Sequence, residues 1–274
     1  MRLPPLVAAF LASAAAGPAA AAATDWQELA QDTRVRLIAG ETRTPAGTTF
    51  IAIELDMPQG MKTYWRVPGE TGIATQLDFS GSSGIAGSRF HWPYPAIEAT
   101  SSYTDFVYRG PVVIPVELTV DGPSPRIDVS LFMGICSDIC VPASATFELP
   151  LNLEKPDAGN ALRIDQALAL APIAWDQPAP AIGALTYDTA GEQLRIELDP
   201  AIVDPASVLV DATGAGYLFG APQKSREPGL VTLPLLADGD ASSFGAGPVT
   251  VVFMTRDGAY EVERPVAAST PASQ

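Results

Sequence analysis

The sequence predicts an all-β chain: a β-sandwich domain, a short helix, and a second small β-sandwich domain. Three observations carry that reading. Short apolar–polar alternations recur throughout, and Gly, Pro, Asn and Asp punctuate them. One stretch, Asp157 to Ala171, departs from the alternation and spaces its apolar residues near the helical period. The length of 274 residues exceeds what one small domain ordinarily uses and fits two.

In the first half, Phe50 to Leu55, Thr75 to Phe79, Val112 to Val120, Ile127 to Met133 and Phe147 to Leu153 read as strands, with Asp121-Gly122-Pro123-Ser124-Pro125 as a turn. Ile127, Val129, Leu131 and Met133 share one strand face. A sheet with such a face needs cover, and a second sheet packed on it, as in an immunoglobulin-like sandwich, supplies it. A closed barrel satisfies the same pattern.

Between the halves, Leu162, Ile164, Leu168, Ala169 and Leu170 form a broad apolar stripe that Pro172 stops, and Pro178-Ala179-Pro180 suits a linker. Strands resume at Leu194 to Leu198, Val208 to Val210, Gly229 to Leu235, Val249 to Met254 and Tyr260 to Val262, with Arg256-Asp257-Gly258 as a hairpin turn between the last two. This half has no chemical motif of its own and reads as a spacer or docking surface.

The amino terminus has the form of an export signal. Arg2 precedes an apolar stretch from Leu3 through Ala16, and Ala21-Ala22-Ala23 precedes the polar Thr24-Asp25. The expected division is a signal over 1–23, a first domain over 24–154, a helix and linker over 155–180, a second β-rich domain over 181–266 and a disordered tail over 267–274. No later stretch is long enough to cross a bilayer, so the processed chain is expected to be soluble in an oxidising compartment. Its 16 basic and 31 acidic residues give a net charge of −15, which repels phosphate backbones and excludes nucleic acid as a partner.

The chain has two cysteines, held together in Cys136-Ser137-Asp138-Ile139-Cys140. Four extended steps span about 13 Å, whereas a disulfide needs Cα atoms within about 7 Å. Ser137-Asp138-Ile139 must therefore curl back, as a three-residue connection between antiparallel strands or as one helical turn. Closing so short a loop stabilises the fold by only on the order of 2 kcal/mol. A strained bond in a tight loop is easier to reduce, a property of exchanging pairs. The residues alone leave a structural clip, an exchanging pair and a metal site open.

The wider sequence adds a resemblance. Thr63-Tyr64-Trp65-Arg66-Val67-Pro68-Gly69-Glu70-Thr71-Gly72, Trp92-Pro93, Tyr108-Arg109-Gly110-Pro111-Val112-Val113-Ile114-Pro115-Val116 and Cys136-Ser137-Asp138-Ile139-Cys140-Val141-Pro142 occur in the order of one family. Over Val35 to Leu153 the chain resembles the amino-terminal periplasmic domain of the thiol:disulfide interchange protein DsbD and its relatives. The resemblance implies an immunoglobulin-like periplasmic domain in which Cys136 and Cys140 form the redox pair, a protein-disulfide reductase or electron relay without a cofactor. By analogy Cys140 attacks the target disulfide and Cys136 resolves the mixed disulfide.

Two departures matter. The best-known member spaces its cysteines further apart, and it continues into a membrane domain and a thioredoxin-like domain. Here no later membrane segment and no Cys-x-x-Cys follow. Reducing power is thus expected from a separate membrane or periplasmic thiol donor, with periplasmic disulfide-containing proteins as targets. The family also shields its cysteines with an aromatic cap, for which Tyr103, Phe106 and Tyr108 lie in the corresponding region. Asp138 between the cysteines, with no Lys or Arg near in sequence, predicts an ordinary or raised thiol pKa unless the fold brings Arg109 or His91 close.

Two readings from other classes compete. In the first, Cys136 and Cys140 bind copper or another soft metal with Met133 and either Met57 or Met61, although Met133 continues the apolar face of its strand. In the second, the chain is an interaction module whose disulfide is only structural. A zinc enzyme lacks ligands, and a serine hydrolase would have to rely on His91, the lone histidine, without a nucleophile elbow. Gly214-Ala215-Gly216 reads as a turn.

Overall fold

The computed structural model describes residues 22–40, 42–237 and 247–268. The expected export segment lies outside them except for Ala22 and Ala23, which sit against the strand Arg34–Ala39. The expected tail lies outside as well from residue 269 on, while its first two residues end the strand Gly258–Ala268.

Two sheets form the first sandwich. In the five-stranded sheet, the spatial order is Gln27–Glu28, Arg34–Ala39, Thr48–Asp56, Val112–Val120, Ile85–Phe90. In the six-stranded sheet it is Cys140–Pro150, Arg126–Cys136, Lys62–Gly69, Thr104–Arg109, Ala96–Ala99, with Gln76–Asp78 also paired to Arg126–Cys136. Leu37, Ile51, Ile53, Ile114 and Val116 of the first sheet share one core with Trp65, Phe106, Ile127, Val129, Leu131 and Met133 of the second. Each such fully buried aliphatic side chain stabilises the fold by about 1.5–3 kcal/mol.

The alternation read over Ile127 to Met133 holds, and the strand runs on to Cys136. The strand expected over Phe147 to Leu153 instead begins at Cys140 and ends at Pro150. Pro142 obscured it, yet this strand lies at the sheet edge, where proline's missing N–H is tolerated. Lys62–Gly69 was not legible as a strand because its first four residues are buried whichever way they face, which erases the alternation.

Asp157 caps the helix Ala158–Leu168 by accepting from Asn160 N at 2.8 Å. Its inward face is narrower than the stripe read from the sequence. Ile164 packs with Ile38 and Ala52 on the five-stranded sheet, whereas Leu162 and Leu170 are exposed. Asn160 Nδ2 donates to Ala22 O.

The second half builds another β-rich unit with its own core around Ile182, Leu194, Ile196, Val210, Phe219, Leu233 and Phe253. Pro248–Thr255 and Gly258–Ala268 form the expected hairpin around Arg256 and Asp257. Ile173–Ala174, inside the expected linker, adds a short parallel pairing to Gly258–Ala268. Leu209 and Val252 join the core of the first sandwich. Arg66 reaches across, its Nε 2.8 Å from Asp211 Oδ2 and its second amine 3.0 Å from Glu261 Oε2. Tyr94 donates its hydroxyl to Ser207 O at 2.6 Å.

None of the helices among the described residues is long and apolar enough to cross a membrane.

Candidate redox site

Strand alternation decides what surrounds the cysteines. In Arg126–Cys136 the odd positions from Ile127 to Ile135 face the core, so Cys136 belongs to the opposite, outer face. Cys136 pairs with Lys62 in the adjacent strand, which places Lys62 and then Tyr64 on that outer face while Trp65 enters the core. One strand further, Tyr64 pairs with Val107. Tyr64, Val107, Cys136 and Cys140 accordingly form a small cluster separate from the main core.

The cysteines terminate the longest ladder of the domain. Arg126–Cys136 and Cys140–Pro150 pair in register from Arg126↔Pro150 to Cys136↔Cys140, and Ser137, Asp138 and Ile139 make the connection. Of the two geometries compatible with the spacing, the hairpin is the one formed. Its last pair lies 4.1 Å apart at Cα and is joined as a disulfide. Cys136 is fully buried, Cys140 is partly exposed, and Ile139 at the tip is 73% exposed.

Burial on an outer sheet face requires a cover, and the segment after Lys62–Gly69 provides it. Thr71 is pinned by Asp105, whose carboxylate accepts from Thr71 N at 3.0 Å and from Thr71 Oγ1 at 2.6 Å. Gly72 lies so close over Tyr64 that a Cβ there would stand 2.4 Å from Cδ1 of the ring. Ile73 lies over Gly134, where an added Cβ would meet it at 2.9 Å. The carbonyl oxygen of Thr71 is 3.6 Å from Cys140 Sγ. Both glycines are thus required by close approach.

The Tyr64 hydroxyl is 3.0 Å from Cys136 Sγ and 2.8 Å from Cys140 Sγ. A disulfide sulfur carries no proton, so the phenol is the donor, with its one hydrogen shared between the two sulfurs. Burial raises the Tyr64 pKa despite the opposing charge of Lys62, and the group stays protonated at neutral pH. Lys62 Nζ lies 2.8 Å from Glu98 Oε1 and 3.2 Å from Asp105 Oδ2. Burial alone would lower the Lys62 pKa; its bonds to the two carboxylates outweigh that and raise it. Glu98 is likewise penalised by burial but is held down to about 2 by bonds to Lys62, Tyr103 and Arg109. Lys62 and Arg109 offset Glu98 and Asp105, so this network leaves no net positive charge to stabilise a thiolate.

The aromatics expected as a cap are placed differently from one another. Register sets Tyr108 opposite Thr63, and alternation turns Phe106 and Tyr108 to the core face. Phe106 meets Trp65 edge-on at 6.0 Å, and Tyr108 donates to Pro93 O. Tyr103 donates to Glu98 Oε1 at 2.7 Å, with its ring 5.0 Å from Lys62 Nζ. The aromatic touching both sulfurs is Tyr64, which belongs to the motif run quoted above without having been singled out. Alternation around Trp65 was the signal that would have found it.

Arg109 is paired with Glu98, and His91 with Glu117 at 3.2 Å. Met57, Met61 and Met133 lie in the main core, across the sheet from the sulfurs, so the methionines weighed as soft-metal ligands are not brought to the cysteines.

The first sandwich is an immunoglobulin-like domain with a disulfide at the end of its longest hairpin, and its similarity to known proteins supports a thiol:disulfide exchange module. Residues 34–152 match the family model described as "Thiol:disulfide interchange protein DsbD, N-terminal". Over 90% of this chain and 99% of its own, the crystal structure of the N-terminal periplasmic domain of ScsB from Proteus mirabilis is similar, with a TM-score of 0.69 and 25% identity. The similarity therefore extends through the second β-rich unit. Among curated proteins no match is found.

Proposed function

We propose that this chain is a periplasmic thiol:disulfide exchange protein that passes two electrons through Cys136 and Cys140 from a separate thiol donor to disulfides of partner proteins. The observation that carries the reading is the asymmetry of the pair: Cys140 is partly exposed beside the hairpin tip, while Cys136 is fully buried behind it.

In the reduced state the Cys140 thiolate attacks one sulfur of a partner disulfide, forms the mixed disulfide and releases one partner thiolate. Cys136 then loses its proton and attacks Cys140 Sγ. The Cys136–Cys140 bond forms, the mixed bond breaks, and the second partner thiol leaves. The partner gains two electrons and two protons, and a donor dithiol later restores the Cys136 and Cys140 thiols. Tyr64 serves as hydrogen-bond donor to whichever sulfur carries charge. The segment Glu70–Thr75 shields the pair from small oxidants between encounters.

Trapping tests this reading. With Cys136→Ala, a disulfide-bearing periplasmic substrate or a thioredoxin-fold donor should accumulate as a mixed disulfide on Cys140. A wild-type bond whose reduction potential lies below about −300 mV and that forms no such adduct would mark a structural clip instead.

A further inference from the structure

The turn ahead of the strand Arg34–Ala39 reaches the redox hairpin through one side chain that precedes the family-matched segment. Gln31 Nε2 donates to Ile139 O at 3.3 Å and reaches Ile135 O at 3.5 Å, and Gln31 Oε1 accepts from Ser137 Oγ at 2.8 Å. These positions bracket the pair: Ile135 precedes Cys136, Ser137 follows it, and Ile139 precedes Cys140. A side-chain amide suits the task because it offers donors and an acceptor on one planar group.

The backbone behind this amide is unusual. Gln31 and Asp32 have φ of 55° and 58°, consecutive left-handed residues that carry a Cβ. Leu29 N donates to Thr33 O at 2.8 Å and Thr33 N to Ala30 O at 3.1 Å, which closes the turn around them. Such conformations persist where the surroundings over-determine them, and they gather at functional sites.

We propose that Gln31 is a positioning residue that sets the disulfide equilibrium of Cys136 and Cys140. This inference rests on the exchange reading above. Reduction consumes two external thiols, breaks the Cys136–Cys140 bond, and yields two cysteine thiols and one external disulfide. Unbonded sulfurs need van der Waals separation, and with Cα atoms only 4.1 Å apart a spread of the hairpin ends, together with side-chain rotation, relieves the crowding. The Gln31 amide ties both ends to one hydrogen-bonded turn and opposes that spread. It therefore favours the disulfide by keeping each thiol at high effective concentration for the other.

The test equilibrates full-length wild type, Gln31→Ala, Gln31→Gly, Ser137→Ala and the Gln31→Ala/Ser137→Ala double variant in glutathione and in dithiothreitol buffers, with reduced fractions counted by mass. Gln31→Ala should shift the exchange constant toward the dithiol by about tenfold, equivalent to about 30 mV for a two-electron couple. Ser137→Ala should shift it less, and the double variant no further than Gln31→Ala. Gln31→Gly, which suits the left-handed backbone, should show the same redox shift with a higher Tm than Gln31→Ala. An unchanged exchange constant accompanied by a lower Tm would reduce Gln31 to a structural role and overturn the inference. Failure of the wild type to exchange with any protein thiol would overturn the exchange reading, while the dithiothreitol series would still decide the role of Gln31.

Discussion

Tyr64 holds its hydroxyl 2.8 Å from Cys140 Sγ, although 76 residues separate the two in sequence. The contact exists because Tyr64 and Cys136 occupy neighbouring strands on one sheet face and the hairpin returns Cys140 to the same spot. From this position the phenol can donate to a thiolate on either sulfur.

Tyr64→Phe keeps the ring and removes the donor. A hydrogen bond to a charged group is worth about 1.5–3 kcal/mol, so the pKa of the Cys140 thiol should rise by about one to two units. Thiolate absorbance followed against pH on the reduced protein measures it, and alkylation near neutral pH should slow in step.

Gly72→Ala drives a methyl into a ring that cannot retreat from the strand beneath it. Overpacking of this kind costs about 1–3 kcal/mol. The covering segment should lift, so reduction of the disulfide by small thiols should accelerate while Tm falls. Unaltered reduction kinetics would show that the segment does not shield the pair.

Glu98 supplies a pH test with a definite sign. Its folded pKa of about 2 lies below the ordinary value, so its contribution is fully present above the unfolded pKa near 4.5 and is lost as pH falls toward 2. Partial exposure limits the contribution to roughly 1–3 kcal/mol. Urea unfolding of wild type and Glu98→Gln should therefore differ at pH 7 and converge as pH falls through that window.

Arg66→Ala leaves Asp211 and Glu261 facing each other without their shared cation. We expect a loss of about 1–3 kcal/mol and a separation of one thermal transition into two as the β-rich units uncouple. Scanning calorimetry reads both. A single transition at the wild-type Tm would assign the coupling to Leu209, Val252 and their apolar neighbours alone.

The sandwich was legible where one strand face is buried and the other solvated, as at Ile127, Val129, Leu131 and Met133. It was illegible where a segment covers the outer face too, as over Lys62 to Trp65. The cysteine pair was visible from spacing and order of motifs, but its surroundings were not. Phe106 and Tyr108 looked available as a cap until the register with Thr63 and Tyr64 turned them inward. Gln31 gave no local signal, because its hairpin partners lie more than 100 residues away along the chain.

The sulfurs and the main hydrophobic core lie on opposite faces of one sheet. That sheet forms a bulkhead: under the proposed exchange, bonds are made and broken outside the compartment from which the domain draws its folding energy. Under the proposed exchange, a hairpin that opens and closes its bond there need not loosen Trp65 or Ile127, which pack on the other face.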